Sequence, residues 1–152
     1  MKISDILKLD AIIADLKAKN KPEAIKELSQ AVSPVAGAEV EDVAAVLMER
    51  EHLGSTGIGG GIAIPHGKLE TVKSIAVGFG RSIKGIEFES LDNRPVHLFF
   101  LLLTPEHSTG GHLKVLAQIS KLLKMDQFKE RLLAAGSTEQ IHQIILENDE
   151  EF

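Results

Sequence analysis

The chain has no cysteine, no tryptophan and no tyrosine. Disulfides, thiol catalysis and cysteine-ligated metals are therefore excluded, and the composition is compatible with a reducing compartment. With six phenylalanines as its only large aromatic side chains, the chain has no platform on which sugars or bases could stack. Long apolar runs are missing too. The longest, at 98–103, is far too short to cross a bilayer, and the opening MKISDILKLDAII lacks the uninterrupted apolar centre of a signal peptide. A cytoplasmic protein without membrane insertion is expected. Basic side chains are the minority, 17 against 22 acidic for a net charge of −5, which argues against nucleic acid as a partner.

What is present suits one domain. A chain of 152 residues, 43% hydrophobic and 26% charged, can bury a core over 1–152 without disulfide or metal. Residues 12–16 read as a strand after an amphipathic lead-in. Asn20 caps a helix with Pro22 in its first turn, and Ala24, Ile25, Leu28, Ala31 and Val32 recur at helical spacing until Pro34 and Gly37 end it. A second helix is predicted over 40–51, with Gly54 just past its end. Residues 73–82 and 96–103 read as strands, the latter apolar nearly throughout, as in a central strand covered on both faces. Gly85 and Asp92-Asn93-Arg94-Pro95 are expected to turn the chain. Helices follow over 112–124, over 125–134 and from the Ser137-x-x-Gln140 capping box onward, and the acidic end ENDEEF is expected to fray. Strands separated by helices, with turn-linked strands between, give an α/β fold with a mixed central sheet.

The densest chemistry lies at 54–68, GSTGIGGGIAIPHGK. Its five glycines before Pro65 give a main chain that another molecule can approach closely. Pro65 fixes its own φ and pushes Ile64 towards an extended conformation, so His66 stands on a stiff mount beside a flexible lip. Imidazole is the side chain best suited to act as base, nucleophile or metal ligand near neutral pH. Two phosphate loops are excluded. The G-x-x-x-x-G-K pattern ending at Gly67-Lys68 would need glycine in place of Ile62, and G-x-G-x-x-G from Gly57 or Gly59 meets Ile62 or Ile64 at its last glycine. Arg50, in the last turn of the second helix, suits the negative end of the helix dipole. His112 falls in a first turn, where position alone makes it solvent-exposed, although an anion there would meet free N–H groups and favour its protonation. His97 reads as structural, and His52 and His142 as surface residues.

The run GSTGIGGGIAIPHGK, with Arg50-Glu51 just upstream, resembles the signature of the fructose/mannitol-type IIA domains of the bacterial phosphoenolpyruvate-dependent sugar phosphotransferase system. This family, PTS EIIA type 2, includes the nitrogen-regulatory IIA-like proteins. LDNRPVHLFFLLLTPE and HLKVLAQISKLL resemble its later parts, so the likeness covers most of the chain. The resemblance implies a mixed sheet flanked by helices on both faces. It also implies a phosphotransferase component whose His66 accepts a phosphoryl group from the phosphocarrier protein HPr, or its nitrogen-branch equivalent, as a phosphohistidine, with no cofactor and no metal.

Arg50 aligns with an arginine that the family keeps near the active histidine, and His112 with a second histidine. His107 would replace His112 if the alignment slipped, but Leu113 follows His112 and the helix starts there. The hydroxyls of Ser55 and Thr56 and the glycine-loop N–H groups, Gly67 included, are expected to help hold the phosphate. Onward partners are a IIB protein in sugar uptake or regulatory targets in nitrogen control. The lack of a fused carrier or IIB segment leans towards regulation, and the fructose-like N-terminus towards transport. A metal hydrolase built on His66, His107 and His112 is disfavoured because no H-x-x-x-H or H-E-x-x-H is present.

Overall fold

The computed structural model describes residues 1–151. In chain order the elements are α1 (Ile3–Ile6), β1 (Leu7–Ile13), α2 (Lys21–Ala36), α3 (Val40–His52), β2 (Gly57–Gly59), β3 (Ile62–Ala63), β4 (His66–Lys68), β5 (Ala76–Ile86), β6 (Val96–Thr104), α4 (Thr109–Leu123), α5 (Asp126–Ala134) and α6 (Thr138–Asn148). The strands make one mixed sheet in the order β1-β5-β6-β3-β2, with β4 also paired to β6. β5 and β6 are antiparallel, β1 lies parallel to β5, and both β3 and β4 run parallel to β6.

Strand β6 is buried along nearly its whole length because its alternate side chains serve two cores. Leu98, Phe100 and Leu102 join Val77 and Phe79 of β5 and the apolar stripes of α4, α5 and α6 on one face. On the other, Phe99, Leu101 and Leu103 pack with Ala24, Ile25, Leu28 and Val32 of α2 and Val43 and Leu47 of α3. Edge-to-face ring pairs, Phe79–Phe100 at 5.0 Å and Phe88–Phe99 at 5.2 Å, sit one in each core. The result is the expected mixed sheet with helices on both faces. Among the described residues no helix is long and apolar enough to cross a membrane.

Several boundaries differ from those the sequence suggests. The first strand starts at Leu7, well before residue 12. A register shift between Leu7 and Ile12 leaves Lys8, Leu9 and Asp10 exposed, which hides the alternation. Pro34 lies inside α2, which ends where Gly37 takes a φ of 71°. A proline so near the C-terminus removes a single donor, and Ser33 O still receives the N–H groups of Gly37 and Ala38 at 2.9 and 3.3 Å. Gly85, with φ of 88°, carries β5 through a bulge between Arg81 and Ile86 in place of a turn. The glycine-rich lip is itself a small antiparallel hairpin of β2 and β3. The acidic end is tethered: Asp149 Oδ2 accepts the Ser4 N–H at 2.6 Å, Glu150 pairs with Lys121 at 2.8 Å, and Glu151 pairs with the N-terminus. Phe152 lies outside the described residues.

One ion pair is buried under the sheet edge. Lys21 Nζ lies 2.9 Å from Glu51 Oε1, their side chains 7% and 1% exposed, and 4.8 Å from the centre of the Phe88 ring. Removing one member of such a pair strands the other charge, whereas replacing both with apolar groups of similar volume is close to neutral. Lys21→Met is therefore expected to lower the unfolding free energy by about 3–5 kcal/mol, and Lys21→Met/Glu51→Leu to recover most of that loss. Urea unfolding of both variants measures the difference. Equal losses in the two would mean the pair is not isolated from solvent.

Candidate functional site

Beyond Ala63 the strand beside β6 is interrupted at Ile64 and Pro65 and resumes as β4. The register does not change across the break, since Ile62 pairs with Leu98 and His66 with Leu102. His66 thus projects on the same side of the sheet as Leu102 and Thr104, towards α4, and Gly67 faces α3. The absence of a side chain at Gly67 sets how closely α3 approaches: a Cβ there would lie 3.2 Å from Val46 Cγ1 and 3.8 Å from Leu47 Cδ2. Close packing of α3 brings Arg50, in its last turn, to the mouth of the same cleft. The cleft, of about 330 Å³, is lined by Val46, Glu49, Arg50, Leu53, His66, Gly67, Lys68 and His112.

The two histidines meet edge to face, ring centres 5.4 Å apart at 61°. His66 Nδ1–H donates to the Ile64 carbonyl at 2.7 Å. His112 Nδ1 shares a 2.8 Å hydrogen bond with the hydroxyl of Thr104, the polar residue that closes β6. Helix α4 begins at Thr109, earlier than expected, and the His112 N–H already bonds Ser108 O at 2.8 Å. Any unused N–H groups of that helix therefore precede His112. His112 is buried, not solvent-exposed as position alone suggests. Arg50 Nη1 donates to Gly54 O at 2.9 Å, so the guanidinium both closes the helix end and lines the cleft.

Burial pushes the His66 ring below the ordinary histidine range, opposed by its bond to Ile64; Arg50 lowers it further and Glu51 raises it. His112 is pushed down to about 4, by burial first and then by the positive charges of His66 and Lys68. Both rings are neutral near pH 7, and the fixed cations around them are Arg50 and Lys68.

Other sequence-derived candidates fall elsewhere. Ser55 and Thr56 do not line the cleft. The Ser55 hydroxyl donates to Phe88 O at 3.0 Å and receives the Gly57 N–H, and the buried Thr56 hydroxyl donates to Glu51. His107 is exposed in the turn before α4 and is not among the lining residues. His97, half-buried, donates from Nδ1 to Ser82 O at 2.9 Å. Among the described residues no group of three or more His, Cys, Asp or Glu side chains is placed to hold a metal ion. Thr104 was not singled out by the sequence, and Glu51 and Lys68 figured there only within quoted runs, with no role at the site. A lone polar residue ending an apolar strand, eight residues before a histidine, was the available signal for Thr104.

A model of the family described as phosphoenolpyruvate-dependent sugar phosphotransferase system, EIIA 2, matches residues 5–148. The chain belongs to this family. It is 39% identical over 145 residues to a nitrogen regulatory protein of Bradyrhizobium diazoefficiens, covering 95% of each chain. It is 34% identical over 146 residues to a fructose-specific EIIA component of Haloferax volcanii, again covering 95% of each. Nitrogen regulatory protein IIA-Ntr from Neisseria meningitidis has the same fold, with a TM-score of 0.88 and 35% identity over 94% of this chain and 98% of that one. A phosphocarrier IIA role fits both kinds of relative.

In this EIIA type-2 protein both cleft histidines bind protons less readily folded than unfolded. As pH falls below 6.5, the ordinary histidine value, the unfolded chain gains protons first, so stability declines until about 4, where His112 titrates in the folded state. The thermal midpoint is expected to drop across that window, and His112→Gln to flatten the drop. A slope unchanged by the substitution, in calorimetric scans at successive pH values, would assign it to other groups.

Proposed function

We propose that His66 is the phosphoryl acceptor of this IIA protein and that its donor is a phosphorylated HPr-type carrier, either HPr itself or a nitrogen-branch equivalent. The observation that carries this reading is the 2.7 Å bond from His66 Nδ1 to the Ile64 carbonyl. A carbonyl only accepts, so the ring's proton stays on Nδ1 and the Nε2 lone pair is available as nucleophile. Nε2 attacks phosphorus in line with the donor's P–N bond. That bond breaks, and its electron pair returns to the donor's ring. As the new N–P bond forms the His66 ring becomes cationic, and the Ile64 carbonyl stabilises the Nδ1–H.

The transferred group carries roughly two negative charges spread over three oxygens. The Arg50 guanidinium matches two of those oxygens with its fork of donors, and Lys68 adds a point charge. With the Thr104 hydroxyl donating to His112 Nδ1, that ring donates from Nε2 to the phosphoryl group. The main chain at Gly67 completes the wall, and Ser55 and Thr56 support the hairpin in place of touching phosphate. Catalysis then consists of placement and charge neutralisation.

The nitrogen regulatory relatives, matched over nearly their whole length, favour a role in which the phosphorylation state of His66 alters contacts with target proteins. The fructose-specific relative favours onward transfer to a IIB protein in sugar uptake. Label passing from the phosphorylated protein to a sugar-specific IIB partner in a reconstituted assay would establish the second role, and its failure to pass to any would leave the first.

His66→Ala is expected to fold normally by circular dichroism and to take up no label from phosphorylated HPr. Arg50→Ala is expected to slow uptake roughly a hundredfold. Label retained by the His66 variant would move the acceptor to another residue.

A further inference from the structure

A continuous set of hydrogen bonds joins the buried ion pair to the ring of His66. Glu51 Oε1 lies 2.9 Å from Lys21 Nζ and accepts the Thr56 N–H at 3.1 Å, and Glu51 Oε2 accepts from the Thr56 hydroxyl. The Thr56 carbonyl in turn accepts the Ile64 N–H at 3.1 Å. The Ile64 carbonyl receives His66 Nδ1–H at 2.7 Å. We propose that Lys21, Glu51 and Thr56 are positioning residues for phosphoryl transfer: they fix the Ile64 carbonyl so that His66 presents a single tautomer in a single orientation. The inference rests on His66 being the acceptor.

The backbone at the proline explains why such support is needed. The Ile64 carbonyl belongs to the peptide bond with Pro65, whose nitrogen has no hydrogen, so that peptide cannot anchor itself by donating. Its direction is set by the bonds on either side. Upstream is Ile64 N–H to Thr56 O at 3.1 Å, and downstream is the Pro65 carbonyl, which accepts the Leu102 N–H at 2.9 Å. The downstream anchor is part of the sheet. The upstream one is residue 56, at the base of a hairpin whose turn contains three successive glycines at positive φ, Gly59, Gly60 and Gly61. That turn is pinned from outside, at the Gly60 N–H by Asp92 Oδ2 at 3.0 Å and at the Gly61 carbonyl by the His97 and Leu98 N–H groups at 2.9 and 3.0 Å, but none of these bonds is made to Thr56.

Glu51 holds residue 56 directly, accepting from both its amide and its hydroxyl. A carboxylate in the last turn of α3 opposes the helix dipole, and an apolar residue would fill the same buried space without charge. The ionic solution differs from the apolar one in what it does for Thr56. Lys21, which also lies 3.5 Å from the exposed Glu89 Oε2, offsets the charge of the buried carboxylate behind the ring that must receive a dianion.

The test separates the support from the charge. In Lys21→Met/Glu51→Leu both charges go and Thr56 loses its acceptor. In Lys21→Met/Glu51→Gln the charges also go, but the amide oxygen still accepts the Thr56 N–H. Ring nitrogen NMR of His66 in uniformly 15N-labelled protein reads the tautomer without any phosphoryl donor, and uptake of label from phosphorylated HPr reads the rate. The Leu variant is expected to show both neutral tautomers in exchange and uptake slowed roughly ten- to a hundredfold, while it remains folded with most of the wild-type stability. The Gln variant is expected to return to one Nδ1–H tautomer and most of the wild-type rate.

A Leu variant that keeps one tautomer and the full rate overturns the proposal, as does a Gln variant as slow as the Leu variant. Should the Leu variant not fold, Thr56→Val, with Thr56→Ser as its rescue, reads the same two signals. Label that appears on a residue other than His66 in the wild-type protein would refute the acceptor assignment, while the NMR comparison would still report on the support.

Discussion

The far edge of β6 must be hydrogen-bonded along its length, because both faces of that strand are buried and no water reaches its main chain. β3 satisfies the first part and β4 the second. Proline is tolerated between them because it falls where no ladder donor is required, and its carbonyl still serves Leu102. The ladder therefore dictates where the residue after the proline points. His66 is directed towards the N-terminal end of α4 and Gly67 towards α3, so the two helices meet at one cleft through neighbouring residues of a single short strand.

The electrostatics of that cleft follow from the same packing. Two imidazoles face each other in partial or complete burial, and each is driven towards its neutral form. Of the charged side chains that line the cleft, Arg50 and Lys68 are positive and the exposed Glu49 is negative. The nearest buried carboxylate, Glu51, is matched by Lys21. A phosphoryl dianion entering such a cleft would meet cationic side chains already in place. Interactions arranged in advance in this way need no reorganisation during transfer.

Much of the architecture was legible in the residues. The apolar run of β6, the stripes of α2 and α4 and the Ser137 cap state their elements directly, and the Ser137 side chain does receive the Gln140 N–H. The Pro65-His66 pair and its glycine lip marked the centre of the cleft. Bulges were hidden, because one inserted residue destroys the period on which a strand is recognised, as at Leu7 to Ile12 and at Gly85. The supporting network was hidden for a different reason. Lys21, Glu51 and Thr56 are far apart or ordinary in sequence, and nothing in the spacing of polar residues reveals that three of them share one buried bond network. Ser55 and Thr56 were read as phosphate ligands from their place beside the glycines, and their hydroxyls turn out to have protein partners.

The unchanged register across the proline has a consequence for how this segment can vary. Ile62 and His66 are each paired 36 positions ahead, with Leu98 and Leu102. Side chains along a strand alternate between its two faces. Inserting or deleting one residue between Ala63 and His66 would turn the imidazole away from His112 and towards α3, where even a Cβ would lie 3.2 Å from Val46 Cγ1. The segment can therefore exchange side chains yet cannot alter its length by a single residue, and indels that nearby surface turns absorb would here abolish the cleft while leaving the rest of the molecule folded.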